Sequence, residues 1–257
     1  MKYLCQIRYV GTEFCGFQVQ PVGRTVQGVL NEAAAKVFGE GVKITGCSRT
    51  DSGVHANGFC VTVEPPKGAK LPAEKLPLAM KAHLPPDLSL MSAVLVEDDF
   101  HPRYDALGKE YVYLISNSPV PDPFLYGRAW HVPRPIGEEQ LAMMRRFAEG
   151  LQGKHDFSSF MAAGSDVQDT VRTLWRLSVE REGDLIRITA QGDGFLYKMV
   201  RILVGTLVDV AFGRFSPESA PAVLEARDRS ASGATAPAWG LTLNRVFYEM
   251  DNFSSQL

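Results

Sequence analysis

The stretch Thr170–Asp193, TVRTLWRLSVEREGDLIRITAQGD, decides the fold class. Both of its runs alternate apolar with polar residues, the period of a strand with one buried face. Between them stand Glu182, Gly183 and Asp184, residues suited to a tight turn. Two strands joined by so short a link pair antiparallel, since a parallel pair needs a crossover of about a dozen residues.

The rest of the chain follows this lead. KYLCQIRYVG (2–11), VKITGC (42–47), GFCVTVE (58–64), LSLMSAVLVED (88–98), EYVYLIS (110–116) and LTLNRVFYEM (241–250) read as strands. RTVQGVLNEAAAKVFGEG (24–41) reads as a helix. Thr25 is its N-cap, Val26, Leu30, Ala33, Ala34, Val37 and Phe38 share one face, and Gly39 ends it. PAEKLPLAMKAHL (72–84) is a helix started or interrupted near Pro77, and IGEEQLAMMRRFAEGL (136–151) is amphipathic. GFLYKMVRILVGTLVDVAFG (194–213) is nearly all apolar and reads as a long buried helix. SPESAPAVLEARD (216–228) is a shorter surface helix. Strands in runs with hairpin-like links predict an α+β fold with a mostly antiparallel sheet, rather than a doubly wound parallel one. The halves are loosely alike, each with an early strand, a helix, a strand pair and another helix. Their expected extents are 1–104 and 105–257.

Composition sets the outer limits. With 257 residues, 45% hydrophobic and 22% charged, the chain is rich enough in apolar side chains to build a core. No apolar run approaches the roughly 20 residues of a membrane span. MKYLCQIRYV has neither the apolar core nor the cleavage site of a signal peptide, so a soluble cytoplasmic protein is expected. Cys5, Cys15, Cys47 and Cys60 show no metal-ligand spacing and read as reduced thiols filling small apolar spaces. Lys and Arg total 27 against 29 acids, a formal charge of −2. That balance neither announces nor excludes a nucleic-acid partner, because the distribution of charge decides.

GCSRTDSGVHANG (46–58) lies between two of the predicted strands. Its glycines, 46, 53 and 58, permit tight or positive-φ backbone, and Ser48, Thr50 and Ser52 stiffen the loop. Asp51 thus sits on a rigid loop at a strand end, with Arg49 close enough to favour its ionised form. Such a carboxylate suits nucleophilic attack better than proton donation. The plainer alternative is a turn carrying a weak surface ion pair. Arg201, in the apolar run, is a second anomaly. If buried it needs a partner, and neither Lys198 nor Asp209 is a natural one, whereas an aspartate from another element is. Tyr111 and Tyr113 face the same way and offer either packing or a ring for a planar ligand. Other motifs carry less. GDGFLY (192–197) lacks the third glycine of a dinucleotide loop, no P-loop occurs, and the five histidines are scattered. A two-carboxylate hydrolase needs a second acid beside Asp51, which Asp98, Asp99 or Asp105 could supply.

GCSRTDSGVHA resembles the signature motif of the TruA-type tRNA pseudouridine synthases. YVGTEFCGFQVQPVGRTVQG, HLPPDL, DDFHPRYDALGKEYVYLI, GKHDFSSF, GFLYKMVRILVGTL and EARDRSASGATAPAWGL match the family's pattern in the same order, over nearly the whole chain. The resemblance implies an isomerase that makes pseudouridine at positions 38, 39 and 40 of the tRNA anticodon stem-loop. It implies two similar α+β halves sharing an extended antiparallel sheet, with the active-site cleft between them. Asp51 is then the catalytic aspartate, Arg49 part of its motif, Tyr111 the tyrosine that stacks on the target base and Arg201 the basic residue paired with the aspartate. The family uses no cofactor and no metal, and works as a homodimer. Arg24, Arg103, Lys109 and Lys198 are further candidates for contacts to RNA phosphates. Ser48 and Phe17 stand where many members have glycine and tryptophan. An idle RNA-binding protein on the same fold and a two-carboxylate nucleoside or glycoside hydrolase are the competing readings.

Overall fold

Residues 1–164 and 167–249 are described by the computed structural model. They form two units, Met1–Leu107 together with the stretch from Leu243, and Gly108–Thr242. The division therefore falls three residues after the expected one, and the closing strand belongs with the first unit.

The first unit contains β1 (Lys2–Tyr9), α1 (Val26–Phe38), β2 (Lys43–Gly46), β3 (His55–Glu64), α2 (Leu76–Lys81) and β4 (Leu88–Val96). β1 pairs antiparallel with β3 and with β4, and β2 pairs antiparallel with β3. Tyr3, Cys5, Ile7 and Tyr9 alternate along β1 and are all buried. α1 begins and ends as its sequence dictates: Thr25 Oγ1 accepts the Gly28 amide at 3.2 Å, and Gly39 leaves the helix at φ 87°. Phe38 stacks on Tyr3 with ring centres 5.9 Å apart. The predicted helix over 72–84 is cut to one 3₁₀ turn at Ala73–Lys75 followed by α2, with Pro77 in its first turn, where a missing amide does no harm. The segment ahead of α1 is tied to the start of β4 by Arg24, whose Nη1 and Nη2 donate to the two carboxylate oxygens of Asp87 at 2.6 and 2.7 Å. The same guanidinium lies 4.1 Å from the centre of the Phe14 ring.

The second unit contains β5 (Gly108–Ser116), β6 (Trp130–His131), α3 (Glu138–Glu149), β7 (Gly153–Asp156), β8 (Val171–Glu182), β9 (Leu185–Gly192), α4 (Met199–Ala211) and α5 (Ala220–Ala226). Its strand order is β5-β9-β8-β7, antiparallel throughout, with the short β6 parallel to β5. The hairpin read from Thr170–Asp193 is β8–β9, with Glu182 opposite Leu185 and a two-residue link in which Gly183 takes φ 62°. α3 packs on α4 and on β8. α4 starts at Met199, not near Gly194, because Lys198 takes a left-handed conformation, φ 58°, that a helix cannot include. β10 (Leu241–Phe247) then returns to lie beside β3. Met250, the end of that predicted strand, lies outside the described residues. The fold is α+β with mostly antiparallel strands. Among the described residues, no helix is long and apolar enough to cross a membrane.

Two predictions follow from this packing. Gly205 lies mid-helix in α4, where alanine ordinarily gains about 1 kcal/mol of helix stability. Here an added Cβ would stand 1.7 Å from the Ala234 carbonyl oxygen, so the steric clash wins. Gly205→Ala should cost roughly 3 kcal/mol or more and lower Tm by about 10 °C, read by calorimetry. The second concerns acid. The hydrogen bond from Arg24 holds the Asp87 carboxyl below the usual carboxylate range. A depressed folded pKa stabilises above the unfolded value, about 3.9, and that stability disappears as pH falls through the folded value. Asp87→Asn, a partly exposed site, should cost about 1 kcal/mol at neutral pH, and the gap from wild type should close below about pH 4.

Candidate active site

The backbone after β2 carries Asp51, and the segment 11–17 grips it. The ladder continues one residue past β2, with the Cys47 amide on the Cys60 carbonyl at 2.9 Å. Thr50 is buried, and its hydroxyl shares a 2.8 Å hydrogen bond with that of Tyr9. Its carbonyl accepts the Phe17 amide at 3.2 Å. Gly16, at φ 86°, passes so close that a Cβ there would stand 2.7 Å from the same carbonyl. The Phe14 carbonyl in turn accepts the Gly53 amide at 3.3 Å and the Ser52 hydroxyl at 3.2 Å. A turn from the Val54 amide to the Asp51 carbonyl, 3.2 Å, closes the loop, and the Gly11 amide donates to His55 Nδ1 at 2.9 Å just beyond it. With Thr50 fixed inside and Arg49 exposed, Asp51 is presented half-exposed between locked neighbours.

Only Gly53 of the three loop glycines uses positive φ, at 80°. Gly46 is required instead by the Phe17 ring, 2.4 Å from where a Cβ would be, and Gly58 by the Asn244 carbonyl at 2.5 Å. Phe17 stacks on Phe59 with centres 4.5 Å apart, so the aromatic pair seats the end of β2. Tyr9, Phe14, Gly16 and Phe17 were not read as functional from the sequence. Tyr9 ends a predicted strand, whereas residues 11–17 have no periodicity; their signals are the mixture of glycines and aromatic residues and the likeness of the stretch to the family's pattern.

In the second unit, Tyr111 on β5 lies opposite Ala190 of β9, 7% exposed, with its ring edge-on to Phe195 at 5.1 Å. Tyr113, two residues on, is fully buried, and its hydroxyl donates to the Pro237 carbonyl at 2.8 Å. Burial pushes the Tyr113 phenol up, and the Arg201 charge opposes that shift. The same-face tyrosines thus part company: Tyr113 anchors the 237–240 segment, whose Gly240 touches its ring, while Tyr111 meets Phe195 from the loop before α4. Arg201, in the first turn of α4, is half-buried, not buried, although Met199, Val200 and Ile202 around it are buried. Its Nε donates to the Ala236 carbonyl at 2.8 Å, while the Ala236 amide returns to the Arg201 carbonyl at 3.0 Å. Asp209 pairs with Arg214 at 2.9 Å.

The other basic candidates differ in setting. Arg24 has its fork on Asp87. Arg103 is exposed, 5.8 Å from the centre of the Tyr104 ring, and Lys109 is half-buried on β5 opposite Gly192. Lys198 places its ammonium 4.8 Å from the Tyr197 ring. Arg24, Arg49, Asp51 and Arg103 belong to the first unit, and Lys109, Tyr111, Lys198 and Arg201 to the second. The four cysteines are free thiols, and burial raises the pKa of Cys5 and Cys60. Among the described residues no cluster of three or more His, Cys, Asp or Glu side chains could hold a metal ion.

Similarity to known proteins covers both units. A solved chain from a Cbf5–Nop10–Gar1 complex aligns with a TM-score of 0.38 and 14% identity, over 95% of this chain and 59% of that one. The tRNA pseudouridine synthase A of Brevibacillus brevis is 43% identical over 249 residues, 96% of this chain and 100% of the relative. That of Moorella thermoacetica is 44% identical over 94% of this chain and 97% of the relative, and that of Bacillus subtilis 41% over 97% and 100%. The sequence profile of the tRNA pseudouridine synthases matches residues 6–105 and 147–249, and so takes in the clamped Asp51 loop as well as the first turn of α4. With that extent of match and identity above 40% over nearly its whole length, this chain belongs to the tRNA pseudouridine synthase family.

Proposed function

We propose that this protein isomerises uridine to pseudouridine in tRNA, at positions 38, 39 and 40 of the anticodon stem-loop, with Asp51 as the nucleophile. The observation that carries this reading is the grip of segment 11–17 on Thr50 and Gly53, which leaves Asp51 half-exposed on a loop that cannot drift. A surface turn has no need of a buried threonine and a crossing glycine beneath it. The names of the relatives, tRNA pseudouridine synthase A, support tRNA as the substrate.

The chemistry is balanced within the substrate. The C1′–N1 bond breaks, a C1′–C5 bond forms, the C5 proton leaves and N1 takes one up. No electrons are gained or lost, so the reaction itself requires no redox cofactor. Attack by the Asp51 carboxylate on the sugar or on the base starts from its ionised form. The target base must leave its stack, at a cost of about a few kcal/mol, and the Tyr111 ring offsets part of that. The Nε bond to Ala236 fixes the direction of the Arg201 guanidinium, and the edge contact with Phe195 fixes the plane of Tyr111. Arg103, Lys109 and Lys198 contact RNA phosphates in this reading, whereas Arg24 serves through Asp87 and Phe14. The protein acts in the cytoplasm as a homodimer, with one tRNA touching both subunits.

Asp51→Asn, which preserves shape and removes the charge, should reduce tritium release from C5-labelled uridine in tRNA by roughly 10³-fold or more while RNA affinity changes little. A loss of affinity as large as the loss of turnover would remove Asp51 from the chemistry. Arg201→Lys keeps the charge but gives up the Nε bond and the fork. It should lower kcat about 10- to 100-fold with a small fall in Tm. Wild-type rates in that variant would show that a guanidinium is not required there.

A further inference from the structure

Tyr104 lies in the connection after β4 and is 75% exposed. A ring left in water gives up the burial that makes tyrosine useful to a core. Such exposure is unremarkable on a slack loop, but this one is braced at each residue around the ring. His101 Nδ1 accepts the amides of Arg103 and Tyr104 at 3.1 and 3.3 Å, and the His101 amide donates to Asp105 at 2.8 Å. The Asp105 amide donates back to the His101 carbonyl at 3.1 Å. Pro102 is buried, and its carbonyl accepts the Tyr248 hydroxyl at 2.6 Å. Lys2 Nζ holds the Asp98 and Phe100 carbonyls at 2.5 and 3.0 Å. On this support the His101 ring lies 4.3 Å from the Tyr104 ring at an interplanar angle of 31°. The Arg103 guanidinium lies 5.8 Å from the same ring.

We propose that Tyr104, beside His101 and Arg103, is a stacking platform for an unpaired base of the RNA substrate, distinct from the target base. This rests on the tRNA reading above. A rigid aromatic face costs little entropy to use, and every base offers a π-face to it. The neighbouring guanidinium adds attraction for the polyanion that carries the base. A protein partner would instead favour a continuous apolar patch, and here the ring has a cation and an imidazole for neighbours. The assignment also gives Arg103 a place beside a base, where the sequence offered only a general phosphate contact.

The test uses the full-length protein and C5-tritiated tRNA transcript, with Tyr104→Ala, Tyr104→Phe and wild type side by side. Tyr104→Ala should raise the Kd for the tRNA and the KM about tenfold, with the loss in KM rather than in kcat and Tm unchanged. Tyr104→Phe, which keeps the ring, should stay within about twofold of wild type. Unaltered Kd and KM in Tyr104→Ala, with wild type active, would overturn the platform and leave the tRNA reading intact. A change in oligomeric state without a change in RNA affinity would assign the ring to a protein contact and also overturn it. Wild type that neither binds tRNA nor releases tritium would overturn the functional reading, and the platform with it.

Discussion

The buried hydrogen bond between the hydroxyls of Tyr9 and Thr50 couples the first strand of the chain to the residue before Asp51. A hydroxyl taken out of water needs a partner, or it loses about 1–3 kcal/mol. Each of these two satisfies the other, and the Thr50 carbonyl is satisfied by Phe17. Much else in the unit follows from that pair. Thr50 can be buried only if the chain before α1 doubles back over it, which explains Gly16 at positive φ and Gly11 pressed against Val54. Once that crossing exists, Phe14 and Phe17 become neighbours of the loop and of the sheet, and Arg24 can lie over Phe14 while gripping Asp87.

All the strands but the short β6 and β7, and most of the helices, were legible because their signals are periodic and local. Thr25 and Gly39 bound α1 through side-chain hydrogen bonding and backbone freedom, and neither depends on tertiary structure. The alternation in Thr170–Asp193 and the turn residues between its two runs were enough to place the hairpin, though not the irregularity in its register between Leu174 and Arg176. The failures were of another kind. Nothing in the composition of GFLYK says that Lys198 turns left-handed, so the start of α4 was placed about five residues early. Burial of Arg201 was inferred from the apolar company it keeps, although a residue in the first turn of a helix can reach the surface whatever surrounds it in sequence.

The site was legible in its central residues and not in its supports. Asp51 stands out because arginine, aspartate, glycine and small hydroxyls crowd together, and the wider likeness to a known family rests on several such clusters in order. The residues that hold the loop come from a stretch without periodicity more than thirty positions away, and only the hydrogen bonds of Phe14 and Phe17 expose that role. The same-face rule grouped Tyr111 with Tyr113 correctly by direction. It could not say that Tyr113 is sealed by Pro237 and Gly240.

The return of β10 to the first unit bears on biosynthesis. The second unit is one continuous run, Gly108–Thr242, so all of it leaves the ribosome in a single passage and can condense while translation continues. The first unit, though begun earlier, must wait with the part of the β3 margin not covered by β2 unpaired until the strand from Leu241 to Phe247 emerges. For most of the time that the ribosome needs to make the second unit, the nascent Asp51 loop rests on an incomplete sheet whose unpaired margin is open to pairing with another nascent chain.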